Sequence, residues 1–273
     1  MHRESPRTIV LMTDFGVHDT YVGQMKGVIL SRAPSVQIID LTHSIAPQNI
    51  AQGAFFLGKS VQFLPETSII ISVVDPGVGS TRQAIAVETD KQTFLAPDNG
   101  LLSAVFQTRN ITRCVSITEQ QYMLPFRSST FHGRDVFSPA AAHLATGGSL
   151  QELGKAIDLS YCKKIPMPQC SSCDQGESWD GSVIYTDHFG NLVTSLDSEL
   201  FDTEKHWMVR VDNGNHIPVV TTYSDVQDQE LLACTGSSGM IEIAVRNGSA
   251  AERLGLKEGY PVKLTIKSRI MPA

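Results

Sequence analysis

The amino-acid sequence predicts an α/β fold: a mainly parallel sheet domain at the N-terminal end and a smaller all-β domain after it. Apolar runs of strand length alternate with segments of helical spacing as far as about Lys164. That is the βαβ order of a parallel sheet covered by helices on both faces. The run at residues 68–74 is the most continuous of these, as a strand buried on both faces requires. After Lys164 the style changes to short alternating strands separated by turns.

Taken in order, residues 8–12 form an apolar strand that ends on Thr13-Asp14. Residues 21–32 carry Val22, Met25, Val28 and Ile29 at helical spacing, and Ala33-Pro34 stops that helix. Residues 36–41 are the next strand, and 49–61 a helix whose apolar face holds Phe55, Phe56 and Val61. The strand at 68–74 ends on Asp75-Pro76-Gly77. Residues 84–88 and 93–96 make a hairpin around Thr89-Asp90-Lys91-Gln92. Asp98-Asn99-Gly100 opens a short helix at 101–106, residues 115–117 add a strand, and a helix at 135–145 stops at Gly147-Gly148. Pro, Cys, Ser and Gly then fill residues 165–176. Beyond them lie strands at 181–185, 192–195, 207–211, 216–220, 240–245 and 262–266, with turns such as Asp212-Asn213-Gly214 between. Such a series builds a sandwich or a barrel. The expected organisation is an N-terminal α/β domain at residues 1–164, a linker at 165–178 and a C-terminal domain at 179–273.

Composition narrows the function. The 273 residues are enough for one large or two ordinary domains. Lys and Arg number 22 against 28 Asp and Glu, for a net charge of −6, and no basic run is present. A nucleic-acid partner is not expected. No apolar stretch reaches the ~18–20 residues that span a bilayer. The first seven residues lead straight into a strand, without the apolar core and cleavage site of a signal peptide. The five cysteines are odd in number and sparse, which favours a reducing compartment and a cytoplasmic protein. Cys170 and Cys173 have C-x-x-C spacing, but no second pair follows, and the flank Pro166-Met167-Pro168-Gln169 reads as an ordinary loop rather than half a zinc site or a redox motif.

Four segments read together as one site: Thr13-Asp14-Phe15-Gly16 with Asp19 behind it, Asp75-Pro76-Gly77-Val78-Gly79-Ser80-Thr81-Arg82, Phe131-His132-Gly133-Arg134-Asp135, and Asp187-His188-Phe189-Gly190-Asn191. Each sets charged or imidazole side chains beside glycine after an apolar, strand-like run. Loops at the carboxyl ends of strands are where α/β proteins hold their chemistry. Together they point to an enzyme acting on a small molecule. Asp14-Phe15-Gly16 is not a kinase motif, because no H-R-D, phosphate loop or strand lysine precedes it. Gly77-Val78-Gly79 lacks the third glycine and the distant acid of a dinucleotide site.

These motifs, with Val245-Arg246-Asn247-Gly248-Ser249-Ala250-Ala251 near the C-terminus, resemble the S-adenosyl-L-methionine (SAM) hydrolases, or SAM hydroxide adenosyltransferases, which are related to the SAM-dependent fluorinase and chlorinase. The resemblance covers residue 8 to about Lys267. It implies an N-terminal α/β domain, a C-terminal antiparallel β-barrel, and a homotrimer with SAM bound between the N-terminal domain of one subunit and the C-terminal domain of its neighbour. It implies cleavage of SAM by water into adenosine and L-methionine, with no cofactor and no metal. Asp75, Arg82 and His132 match the catalytic trio. Asp14 matches the carboxylate that takes the ribose hydroxyls. Asp19 and Asp187 match residues facing the methionine amino group, and Arg246 one near its carboxylate. Phe189 and Tyr223 lie where rings flank the adenine, and Asn191 matches the amide that reads its edge.

The chemistry agrees with that assignment. SAM is a sulfonium, so its C5′ carries a good neutral leaving group, and a water must be held in line behind that carbon. Arg82 can clamp Asp75 in a bidentate pair, and the trio can orient and polarise the water. Either Asp75 or His132 can take the proton. The related halogenases carry Tyr at the position of Asp75, and the fluorinase carries Ser at that of Gly133. A carboxylate beside the nucleophile repels a halide but suits water. The alternatives are a SAM-binding protein without catalysis and a halide adenosyltransferase.

Overall fold

The computed structural model describes residues 7–174, 177–200, 205–211 and 214–266. The predicted turn residues Asp212 and Asn213 lie outside them, as do residues 1–6 before the first strand and Lys267 at the end of the resemblance. The chain divides into two compact units, Met1–Met167 and Pro168–Ala273.

The N-terminal unit is built on a six-stranded sheet. Its strands are β1 (Thr8–Thr13), β2 (Gln37–Thr42), β3 (Ile69–Val73), β4 (Ala84–Thr89), β5 (Thr93–Pro97) and β6 (Ile111–Ser116). The order is β2-β1-β3-β5-β4-β6, and only β4 runs against its neighbours. Its helices are α1 (Tyr21–Arg32), α2 (Ile50–Ser60), α3 (Ser103–Thr108) and α4 (Ser138–Ala145). Successive strand residues point to opposite faces, so β1 and β3 divide their side chains between two cores. Ile9, Leu11, Ile69 and Ile71 pack with Met25 and Ile29 of α1 and Ala140 and Ala141 of α4. Val10, Met12 and Ile70 pack with Leu57 of α2 and Val105 of α3 on the other face. Each fully covered isoleucine contributes roughly 1.5–3 kcal/mol relative to leaving it in water.

Two elements here differ from expectation. The strand predicted at 115–117 is β6, which starts four residues earlier, where Ile111, Thr112 and Arg113 lack an apolar pattern but pair with β4 at the sheet edge. The helix predicted from Asp135 is preceded by a π-helical turn at Gly133–Phe137, closed by Ser138 N–H on the Gly133 carbonyl. Such turns recur at functional sites.

The C-terminal unit is antiparallel. Its strands are β7 (Ser171–Cys173), β8 (Ser178–Thr186), β9 (Leu192–Asp197), β10 (Trp207–Arg210), β11 (His216–Pro218), β12 (Leu231–Thr235), β13 (Met240–Val245) and β14 (Pro261–Ile266), with one short helix, α5 (Ala250–Leu254). They run β11-β10-β14-β8-β9-β13-β12, with β7 beside β8. The two ends of that path meet, since Val219 bridges Ala233 and Val220 N–H donates to the Ala233 carbonyl at 2.8 Å. The sheet is therefore nearly closed and barrel-like around Val183, Leu192, Val209, Ile241, Ile243 and Leu264. Strand β12 was not among the predicted strands, and β7 lies within the segment read as linker. Three residues of β7 pair with β8, and Cys173 donates its thiol to Asp180 Oδ2 at 3.0 Å. Among the described residues, no three His, Cys, Asp or Glu gather as a metal ion requires, and no helix is long and apolar enough to cross a membrane.

Candidate active site

Sheet topology collects three of the four motif segments. Strands β1 and β3 run parallel with Thr13 beside Val73, so Asp14 and Asp75 leave the sheet at one edge. Strand β4 runs the other way and begins at that same edge, where Ala84 pairs with Pro97. Its approach returns Arg82 onto Asp75. The loop between them turns through Val78 N–H to Asp75 O at 3.2 Å and Ser80 N–H to Gly77 O at 3.1 Å. Gly79 has φ +78°, and a Cβ there would stand 2.5 Å from the Ser129 carbonyl oxygen. Only glycine lets this loop lie against the segment leading to His132.

Arg82 grips Asp75 with both ends of its guanidinium. Nε–H donates to Oδ1 at 3.1 Å, and Nη2–H donates to Oδ2. Both side chains are only 5% exposed. Arg82 Nη2 also lies 2.8 Å from His132 Nδ1. A guanidinium has no acceptor, so Nδ1 must accept, and the neutral ring carries its proton on Nε2. Burial, followed by the Arg82 charge, holds the His132 pKa below its ordinary 6.5, although Asp75 and Asp135 pull the other way. The ring is therefore a neutral imidazole near pH 7. A cavity of about 460 Å³ opens on Arg82 and His132, with Ser116, Thr118 and Ser129 also in its wall.

His132 is presented by the π-helical turn that follows it. Val136 and Phe137 are driven into the core, and Asp135 is fully buried. Asp135 accepts Ser128 N–H at 2.7 Å and Arg134 Nε–H at 2.6 Å. The Arg-Asp pair of this motif thus holds the His132 loop, a structural part beside the chemical one. Phe131 packs edge-on against Phe15 at 5.7 Å between ring centres, so the His132 loop and the Asp14 loop touch.

Asp14 is partly exposed and accepts the Gln48 N–H on Oδ2 at 2.8 Å, its single partner among the described residues. A carboxylate has about four acceptor positions, so most of its capacity faces outward. It does not cap α1, whose N-cap is Thr20. Asp19 is exposed on the turn before that helix.

The remaining candidates belong to the C-terminal unit. Asp187 closes its own loop: Oδ1 accepts Phe189 N–H at 2.9 Å and Asn191 N–H at 2.8 Å, and Oδ2 accepts the Asn191 amide at 3.0 Å. Asn191 also reaches the Tyr223 hydroxyl at 3.4 Å, and that hydroxyl donates to Glu242. Burial, then Glu242, pushes the Tyr223 pKa up. Gly190 has φ +83°, and a Cβ there would fall 2.2 Å from Ser249 Oγ. Phe189, Asn191, Tyr223 and Ser249 line a cavity of about 560 Å³. The Phe189 ring is 75% exposed. Arg246 stands outside that lining, with Nη1–H on the Val226 carbonyl at 2.6 Å.

Comparison with known proteins places the chain. The model of the SAM hydroxide adenosyltransferase N-terminal domain matches residues 9–154, and that of the C-terminal domain residues 181–263. The chain belongs to the SAM hydroxide adenosyltransferase family. A family relative, the (R)-S-adenosyl-L-methionine hydrolase of Thermus thermophilus, is 36% identical over 265 residues, covering 94% of this chain and 99% of the relative. The hydrolase of the same name from Salinispora tropica is 34% identical, covering 94% and 97%. A fluorinase from Actinopolyspora mzabensis stands further off, at 25% identity over 94% and 96%. The crystal structure of an uncharacterized conserved protein from Thermotoga maritima superposes with a TM-score of 0.87 at 34% identity, covering 94% and 99%.

Three residues that hold these side chains are not marked by the motifs. His43 and Gln48 hold the Asp14 loop, and Glu242 orients Tyr223. Glu242 is one polar residue on a strand, and nothing local marks it. His43 closes the run Asp40-Leu41-Thr42-His43, where a polar cluster directly after a strand is the available signal.

Proposed function

We propose that this protein hydrolyses SAM to adenosine and L-methionine, with water attacking C5′ in line with the departing sulfur. The observation that carries the reading is the buried Asp75–Arg82 pair with His132 on the same guanidinium. The hydrogen-bond inventory divides the labour. His132 offers Nε2–H, so it donates to the water oxygen and holds it. Asp75, fixed by Arg82, is the group left to accept the proton. The C5′–O bond forms while the C5′–S bond breaks. Its electron pair stays on sulfur, and the sulfonium becomes the neutral thioether of methionine. The proton passes from water to Asp75 and on to solvent.

Asp14 takes the ribose 2′- and 3′-hydroxyls, and Asp19 faces the methionine amino group. Phe189 and Tyr223 flank the adenine, Asn191 reads its edge, and Arg246 lies near the methionine carboxylate. Asp187 turns its carboxylate into its own loop, so it serves the site first by shaping the Phe189–Asn191 turn and reaches the amino group with the capacity left on Oδ2. The assembly we propose is a cytoplasmic homotrimer with the substrate between the N-terminal unit of one subunit and the C-terminal unit of its neighbour. The exposure of Phe189 supports it, because a bare aromatic face is what a ligand or partner covers.

The test is incubation of purified protein with SAM, without added metal, followed by chromatography. Equal amounts of adenosine and methionine are expected. Adenosine binding without turnover would favour the non-catalytic reading, and a halogenated nucleoside formed in chloride or fluoride would favour the halide one.

A further inference from the structure

Behind the Asp14 loop lies a chain of hydrogen bonds with no part in the trio. Lys26 Nζ donates to Asp40 Oδ2 at 2.5 Å, and Asp40 Oδ1 lies 3.0 Å from His43 Nε2. His43 Nδ1 lies 2.8 Å from Thr13 Oγ1, which accepts the Phe15 N–H at 3.2 Å. The His43 carbonyl accepts the Gly16 N–H at 2.8 Å. A lysine only donates and a carboxylate only accepts, so with a neutral ring the order is fixed. His43 gives Nε2–H to Asp40, Nδ1 accepts from the Thr13 hydroxyl, and Thr13 accepts from the backbone of Phe15.

The array has the residue types of a hydroxyl–imidazole–carboxylate nucleophile system, but burial excludes that role. Thr13 is 0% exposed and His43 5%, so no substrate reaches the hydroxyl. What the array does is grip three members of the loop, Thr13, Phe15 and Gly16, on either side of the one residue it leaves outward, Asp14. We infer that His43 is a positioning residue, which sets the Asp14 carboxylate for the two ribose hydroxyls of the nucleoside. The inference rests on the proposed role of Asp14.

A positioning role predicts a change in selectivity, which a general loss of stability does not produce. The readout is the ratio of affinities for adenosine and 2′-deoxyadenosine, by calorimetry, in wild type, His43→Phe, Asp14→Ala and the double variant. In wild type the ratio favours adenosine. His43→Phe should weaken adenosine about tenfold, one misaligned charged hydrogen bond, while 2′-deoxyadenosine falls less and the ratio shrinks. In the Asp14→Ala background the same change should move adenosine affinity less than about twofold, because the group it positions is gone. Thr13→Val removes the hydroxyl link at nearly constant volume and should reproduce the effect if His43→Phe does not fold. A wild-type ratio in the folded His43 or Thr13 variant, beside a collapsed ratio in Asp14→Ala, overturns the relay alone. A wild-type ratio in Asp14→Ala overturns the ribose assignment, and the inference with it.

Discussion

Asp75→Asn is the substitution that bears hardest on the mechanism. It keeps the size of the side chain and removes its charge. Of the two guanidinium donors that now meet carboxylate oxygens, one would face an amide NH₂ instead. Both partners are 5% exposed, so solvent does little to screen the change. Leaving one member of a buried pair uncompensated costs about 3–5 kcal/mol. For a chain of this size that lowers Tm by roughly 6–20 °C. Loss of the proposed proton acceptor should lower kcat by about 10²–10⁴-fold, or ~3–5 kcal/mol on the barrier. Adenosine affinity should change less than about threefold, because the proposed mechanism turns Asp75 to the water and not to the nucleoside. The assay is kcat by chromatography well below the melting transition recorded by circular dichroism, with adenosine titrations on the same preparation. A folded Asp75→Asn enzyme with wild-type kcat would remove Asp75 from the reaction. A parallel loss of adenosine affinity would recast it as a binding residue.

The same geometry carries further outcomes. His132→Ala should lower kcat at least ~10²-fold with adenosine affinity nearly kept. Because burial and Arg82 lower the His132 pKa, the wild-type rate should hold through pH 6.5 and fall only below it, where imidazolium formation ends acceptance from Arg82; the residual activity of His132→Ala should lack that limb. The linkage sign is the same: the unfolded chain takes the proton first, so this group's contribution to stability is complete above 6.5 and lost as pH falls toward the native value. Gly190→Ala should weaken adenosine and lower Tm, since its Cβ meets Ser249 Oγ at 2.2 Å at a positive φ, and Ser249→Gly should restore part of both. Phe189→Ala should cost adenosine ~1–3 kcal/mol, the usual worth of a base stacked on an aromatic ring, and turnover should survive EDTA, with metal-dependent activity counting against the water-and-carboxylate mechanism.

Much of this protein was legible as local pattern. The apolar runs that became β1 and β3 announce buried parallel strands, and the Asp-Gly segments after them announce functional loops, because both signals lie within a few residues of one another. The family motifs bring Asp75, Arg82 and His132 to notice for the same reason. Strand β12 escaped because Leu231–Thr235 follows an acidic, turn-rich stretch and is stabilised by pairing with β13 rather than by its own pattern. Strand β7 escaped because three polar residues carry no periodicity, and only β8 beside them makes them a strand.

By itself the sequence determined the α/β-then-β order, the loops that carry the family motifs and the residue types available there. Tertiary structure alone decided which of those residues meet and through which atoms. That β4 runs antiparallel is what returns Arg82 to Asp75. The 50-residue separation of Arg82 and His132 closes to one hydrogen bond, and that bond puts the ring proton on Nε2. The inward turn of Asp187 and the hold of His43 on the Asp14 loop are of the same kind. The physical reason is that helix and strand signals arise from neighbours along the chain, while proton positions and carboxylate orientation depend on donors and acceptors that strand order and register bring together from far away.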